Sequence, residues 1–222
     1  MHKGHNITVL INRADAVDYA ALTVRSFAEW RELIFRRDGI RIVHVDSPPG
    51  LDKVRDRCGF ACVWSYTAYQ WLAARDGQFD IIHFHDNAAF GYFTFLAKQQ
   101  RRHFANTLLV LGAHGPHFWE RKANRVYLSE TYNLEADYME RKGAEWADWL
   151  IAPSNFIVDW MLRQGWRLPP RSRVRISQNI MPVSQEVLDR RWAEAKRRYN
   201  DTDNDLNSEA STAQVTFFYE CF

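Results

Sequence analysis

The chain has 222 residues, which is enough for one large domain or for a domain and a half. Its formal net charge is +2 and its charged residues are interspersed, so electrostatics does not indicate nucleic-acid binding. Its three cysteines do not suggest a disulfide framework, and Cys58 and Cys62 lack the second pair of ligands that a zinc site needs. No apolar run is long enough to cross a bilayer, and the N-terminus lacks the apolar core of a signal peptide. We therefore expect a cytoplasmic protein that contacts a membrane only at its surface, if at all.

Short apolar runs alternate with amphipathic stretches along most of the chain. Continuous rather than alternating hydrophobicity is typical of strands that are buried on both faces. The runs predict strands at 7–11, 40–45, 80–85, 107–111, 149–153 and 174–177. Helical spacing of apolar residues predicts helices at 21–37, 65–75, 90–100, 134–147 and 154–164, the last one capped by Ser154 and ended by Gly165. This alternation predicts a doubly wound, parallel α/β sheet in a domain that spans residues 1–198.

The end of the chain has a different composition. Residues 199–214 are polar and predict a linker. Residues 215–222, VTFFYECF, have the pattern of a strand with no partner after it, so they must dock, pair elsewhere or begin a further domain. The basic run at 190–198 could touch anionic lipid, but it has no clear apolar face and is better explained as a solvated helix.

Polar residues follow the predicted strands, where parallel sheets of this kind bind their ligands. Because all carboxyl ends of such strands meet at one edge, we expect these residues to outline a cleft. The residues at these positions, most of which are polar, are Asn12, Asp46, Ser47, His85, Asp86, Asn87, His114, Gly115, Pro116, His117, Ser154, Asn155, Gln178 and Asn179.

His114 is the candidate catalytic residue. Gly112 and Gly115 flank it and allow a tight backbone. An imidazole titrates near the working pH, so it can accept or share a proton with a substrate hydroxyl or phosphate. The alternative is a loop histidine that is bonded to a backbone carbonyl. His117 and Trp119 are expected to line the same loop, where the indole can stack on a sugar or simply pack.

Two other groups of residues have a structural alternative beside the functional one. His83 and His85 share one face of a strand, and such a pair can bind a metal in metal-dependent hydrolases. No histidine follows His117 and too few strand–helix units remain for an eight-fold barrel, so this third hypothesis is disfavoured and no metal is predicted. Glu140 and Arg141 are candidate substrate-binding residues on a helix, or else part of a solvated face. Neither glycine-rich phosphate-binding motif is present in the sequence.

Four stretches in a fixed order carry a resemblance to a known family. They are KGHNITVLIN, GQFDIIHFHDNAAFGYFTFLA, LVLGAHGPHFW, and YMERKGAEWADWLIAPSNFIVDWMLRQGW with VRISQNIMP after it. In this order and spacing they resemble the N-terminal half of family 4 glycosyltransferases, which have the two-lobed GT-B fold. The resemblance covers most of residues 4–182.

The resemblance implies transfer of a sugar from a nucleotide sugar, with retention of configuration, in a cleft between two lobes. The N-terminal lobe of the family mainly shapes the side of the acceptor, which is a sugar, a glycan or a lipid. No cofactor is implied, because the nucleotide sugar is itself a substrate. The residues that the resemblance implies in substrate binding are His85, Asp86, Gly115, Ser154 and Asn179, and His114 is implied to face the reacting sugar. The further candidates for substrate binding come from their position in the sequence and are Asn87, His117, Trp119, Glu140 and Arg141.

The sequence also departs from the family. If KGHNITVLIN is the family's second strand, then the first strand, its glycine-rich loop and its first helix are missing. We expect the donor lobe, which carries the family's E-x-x-x-x-x-x-x-E motif, to be missing, because residues 215–222 resemble only its opening strand. We therefore expect an incomplete acceptor lobe that works with a separate donor lobe or a homo-oligomer. The alternative is a non-catalytic binding module or a truncated remnant.

Overall fold

The computed structural model describes residues 5–11, 26–47, 51, 55–179, 190 and 193. The chain divides into two compact units, Met1–Gln178 and Asn179–Phe222, and nearly all described residues belong to the first unit. Asn12 and the predicted linker and terminal strand lie outside the described residues.

Strands and helices alternate along the first unit, as the sequence predicts. The strands are β1 (Thr8–Ile11), β2 (Arg41–His44), β3 (Ile81–His85), β4 (Leu108–Gly112), β5 (Trp149–Ala152) and β6 (Val174–Ile176). The helices are α1 (Phe27–Asp38), α2 (Arg55–Ala73), α3 (Tyr92–Gln99), α4 (His117–Ala123), α5 (Thr131–Trp146) and α6 (Asn155–Arg163). Short 3-10 turns cover Asn87–Ala89 and Arg171–Arg173.

All strand pairs described are parallel, which confirms the predicted α/β class. The strands form two sheets, one of order β1-β2 and one of order β3-β4-β5-β6. In the larger sheet His83 pairs with Val110 and His85 with Gly112. Residues paired in this way point to the same face of the sheet, so the register places His83, His85 and Gly112 on one face.

Local signals set several helix ends. Ser26 and Glu29 form a capping box at the start of α1, and Gly39 ends it with a φ of 70°. Gly165 ends α6 as predicted, with a φ of 76°, and the Trp166 amide donates to the Met161 carbonyl at 3.0 Å. Ser154 has the extended backbone of an N-cap residue, but its side chain makes no hydrogen bond to the helix. The predicted side-chain cap is therefore not formed.

Helix α2 begins ten residues before the predicted start, and it contains a kink. Cys58 and Gly59 leave helical geometry, and Gly59 has a φ of 64°, which glycine adopts without strain. A Cβ at Gly59 would also lie 2.7 Å from Oε2 of Glu135 on α5, so this kink lets two helices approach closely. Cys58 and Cys62 are free and partly buried thiols, as expected.

The core lies on one face of the larger sheet. Phe95 of α3 and Met161 of α6 are fully buried there against Phe84, Leu109 and Leu150. Burial of these side chains against two helices stabilises the fold by about 25 cal/mol for each Å² of apolar surface removed from water.

The opposite face of this sheet is more exposed than the sequence predicts. Strand β4 is buried on both faces, but β3 alternates, and Ile81 is 59% exposed and Trp149 of β5 is 38% exposed. From β3 to β6 each strand is added on the same side of the previous one. Right-handed crossovers that advance in one direction place their helices on one face of the sheet. The connections within β3–β6 therefore cannot cover the second face.

Candidate active site

Asp86 ties together the loops that follow β3 and β4. It is the residue after β3, and it is 1% exposed. Its Oδ1 accepts hydrogen bonds from the backbone amides of Asn87 at 2.9 Å and His114 at 3.1 Å, and its Oδ2 accepts one from Gly115 at 3.2 Å. Burial raises the pKa of Asp86 to about 6, although these amides pull in the opposite direction. This carboxylate therefore fixes the backbone around His114.

Glu140 also joins two segments of the site by accepting hydrogen bonds from backbone amides. This α5 residue is 1% exposed, so it is not on a solvated face. Its Oε1 accepts from the Ala88 amide and its Oε2 from the His117 amide, both at 2.9 Å. Burial, and next the nearby Asp86 carboxylate, raise the pKa of Glu140 well above its usual range. Glu140 thereby connects the turn after β3 with the start of α4.

The turn held by Glu140 is strained. Ala88 and Ala89 have φ angles of 59° and 53°, in the left-handed region that costs a non-glycine residue about 1–3 kcal/mol. The Asn87 side chain bridges to the second loop, since its Nδ2 donates to the Gly115 carbonyl at 3.4 Å. The loops after β3 and β4 are thus one hydrogen-bonded unit.

Three imidazoles meet above this frame, and we call them the imidazole cluster: His83, His85 and His114. The ring centroids of His85 and His114 are 4.7 Å apart, and those of His83 and His85 are 5.8 Å apart. His83 and His85 are exposed residues and His114 is half-buried. Partial burial still lowers the pKa of each ring, and mutual repulsion adds to the effect on His83 and His85. At neutral pH each ring therefore offers one donor and one acceptor. The sequence singled out His83 only as a ligand in the disfavoured metal hypothesis, although its position two residues before His85 also places it beside the predicted sugar-binding residues.

His117 and Trp119 lie on α4, a short helix that the sequence did not predict. Nε2 of His117 lies 2.6 Å from Oδ1 of Asn133, a fully buried α5 residue that sequence reasoning missed. Trp119 is partly buried and packs against the main core. The imidazole of His117 is therefore held by the protein, next to the loop that carries His114.

Other predicted site residues lie elsewhere. The Arg141 guanidinium donates to Asp137 at 2.8 Å and to the Gln164 carbonyl at 2.9 Å, and it stacks over the Trp166 ring at 5.0 Å. Arg141 thus joins α5 to the end of α6. Ser154 is partly buried at the start of α6, and Asn179 is an exposed residue of the second unit.

The described residues contain no group of three His, Cys, Asp or Glu side chains that could hold a metal ion. A hydrolase built on His83 and His85 would need such a group, so the structure gives this alternative no support. The same residues contain no helix long and apolar enough to span a bilayer.

The parallel α/β architecture, with loops joined at the carboxyl ends of β3 and β4, defines a Rossmann-like lobe of the GT-B type. The family model of Glycosyltransferase Family 4 matches residues 2–181. The chain therefore belongs to glycosyltransferase family 4, as its motifs predicted. No curated protein matched the chain at the significance required. Membership in the family gives the chain a glycosyltransferase-type function, with sugar-type donor and acceptor substrates in general terms.

Proposed function

We propose that residues 1–178 form the acceptor-side lobe of a retaining glycosyltransferase that uses a nucleotide sugar. The observation that carries this proposal is the imidazole cluster, held over a rigid frame at the carboxyl ends of β3 and β4. The neutral rings of His85 and His114, which each carry one donor and one acceptor nitrogen, suit a ligand that carries several hydroxyl groups. The acceptor is a sugar, a glycan or a sugar attached to a lipid.

In this proposal His114 contacts the reacting sugar and the two buried carboxylates keep it in place. Asp86 holds the His114 and Gly115 amides, and Glu140 holds the adjacent start of α4. A fixed polar group at a reacting centre lowers the barrier mainly by positioning and by stabilising charge that develops in the transition state. The oxocarbenium-like centre of sugar transfer develops such charge.

The second wall of the cleft, which binds the donor, is proposed to come from a separate donor-binding lobe or from another copy of the chain. The nucleotide sugar then lies between that wall and the imidazole cluster. We propose a cytoplasmic location, where the enzyme meets a lipid-linked acceptor only at the membrane surface.

The test begins with acceptor binding by the purified chain. Methyl α-glucoside, methyl α-mannoside and methyl β-galactoside serve as probes, and binding is followed by saturation-transfer NMR. We expect at least one probe to bind, and His114→Ala to weaken it about fivefold, since a lost hydrogen bond costs about 1 kcal/mol. His103→Ala is the matched control, because that imidazole contacts Asp76 rather than the cluster.

Transfer is tested by adding UDP-glucose or GDP-mannose and following nucleotide release and the configuration of the product. Retained configuration and a loss of turnover in His114→Ala support the proposal. If no probe binds, or if binding and turnover are unchanged in His114→Ala, the acceptor-lobe proposal is wrong. Binding without any turnover, also with the second wall supplied, favours the non-catalytic alternative.

A further inference from the structure

His83 lies two residues before His85 in β3 and is therefore farther from the carboxyl end of the strand. Its ring nevertheless belongs to the cluster, since its centroid is 5.8 Å from that of His85. The register pairs His83 with Val110 and places it on the same face as Gly112. The proposed contact of His114 with substrate does not use this side chain, so its presence needs another explanation.

Gly112 shows how closely His83 approaches His114. A Cβ built on Gly112 would lie 2.7 Å from Nε2 of His83 and 3.1 Å from Nε2 of His114. Both distances are shorter than normal van der Waals contact, so no larger residue fits while both rings keep their places. The two imidazoles therefore approach each other in the space that a larger side chain at position 112 would occupy.

Electrostatic interactions also couple His83 to the other two rings of the imidazole cluster. Burial is the largest cause that lowers the pKa of His83, followed by repulsion from His85 and His114. The Asp86 carboxylate, at the end of the strand, acts in the opposite direction on His85. A proton on any one ring thus disfavours a proton on the others, and the burial of each ring depends on its neighbours.

We propose that His83 is a positioning residue for His114. Although His83 is exposed, its ring fills the space next to Gly112, so that the half-buried His114 imidazole cannot move into this space and keeps its partial shielding from water. This inference rests on the proposed function for its consequence in sugar binding, but the positioning itself is a property of the free chain.

The experiment is an NMR titration of the His114 imidazole in the free chain and in five variants of it. His83→Ala removes the ring and admits water, so the pKa of His114 should rise toward the ordinary histidine value of about 6.5. His83→Phe keeps a ring of similar size and should leave the titration of His114 as it is in the unaltered chain. Ile81→Ala is the matched control, because Ile81 lies on the same face of β3 and is 59% exposed. It should leave the titration unchanged.

Gly112→Ala tests the proposed route of the effect. Its new Cβ displaces the His83 ring, so it should move the His114 titration when His83 is present. The same substitution in the His83→Ala background should have a smaller effect, because the ring that it displaces is gone. Additive effects would show that Gly112 and His83 act independently.

Binding of the methyl glycoside probes is measured in the same variants. His83→Ala should weaken binding at least about threefold, and His83→Phe should rescue it to within a factor of two. An unchanged His114 titration in His83→Ala overturns the positioning inference. If the titration moves as expected while no glycoside binds, the inference stands and the proposed function fails.

Discussion

The fold places two buried acceptors under the site, and removal of one of them should have a large and calculable effect. In Glu140→Ala the amides of Ala88 and His117 lose their acceptor. Each unsatisfied buried amide costs about 1–3 kcal/mol, so the two together cost about 2–6 kcal/mol. The substitution also removes the desolvation penalty of the buried carboxylate and its repulsion with Asp86, which offsets part of this cost. We therefore expect the free energy of unfolding to fall by about 2–4 kcal/mol.

The assay is urea unfolding followed by tryptophan fluorescence. Glu140→Gln keeps one acceptor oxygen, so about half of the loss should remain, and this milder variant covers the case in which the alanine variant does not fold. Glu145→Ala makes the same change on the same helix, but Glu145 pairs with Lys142 and Arg167 at the surface and should cost less than about 1 kcal/mol. Equal losses in Glu140→Ala and Glu145→Ala would refute the claim that Glu140 holds the loops.

Three further results are expected. The pKa of Asp86 is about 6 in the fold against an ordinary 3.8, so its contribution to stability is present at low pH and lost as pH rises. Between pH 5 and 7.5 the unfolding free energy should fall by about 1.4 kcal/mol more in the unaltered chain than in Asp86→Asn; equal slopes would contradict the shift. Gly91→Ala should destabilise by about 1–3 kcal/mol in thermal unfolding, because its Cβ collides with the buried Phe95 and Phe84 rings. The new Cβ of Gly143→Ala would lie at an ordinary contact distance of 3.6 Å from Phe95. This variant should therefore be neutral or stabilising by up to about 1 kcal/mol. A loss of stability as large as that of Gly91→Ala would contradict the explanation that a collision with the Phe95 ring causes the loss in Gly91→Ala.

The order of elements could be predicted because each strand is an apolar run with a polar stretch on either side. The exposed face of β3 was harder to foresee, because hydrophobicity of one strand does not reveal which helices cross it. IIHFH does alternate, with Ile82 and Phe84 buried and His83 and His85 exposed, but the continuous run at β4 led to the expectation that all strands are covered on both faces. Helix α4 was missed because its first amide is held by a residue from another element, Glu140.

The residues of the site could be named from their motifs, but their partners could not. Asp86 and Glu140 were predicted as substrate-binding residues, and in the fold both carboxylates accept hydrogen bonds from backbone amides of the loops. Their hydrogen-bond partners lie 28 and 52 positions away along the chain, so only the fold shows that both carboxylates face backbone amides. The cluster of three imidazoles likewise depends on strand register, which pairs His85 with Gly112 and leaves room for His114.

The features that are costly for stability converge on one edge of the larger sheet. Each of them carries a cost: the two carboxylates lose solvation, which their amide partners offset, the two alanines adopt the left-handed region, and the three imidazoles lie close together. They occur together at the carboxyl ends of β3 and β4, although Arg101, Phe104 and Arg125 also have a positive φ away from this edge. Local rules are broken mainly where function requires it, since selection for stability alone would replace such groups. This concentration of strain and buried carboxylates supports the proposal that the edge is the functional site, by an argument that does not depend on family membership.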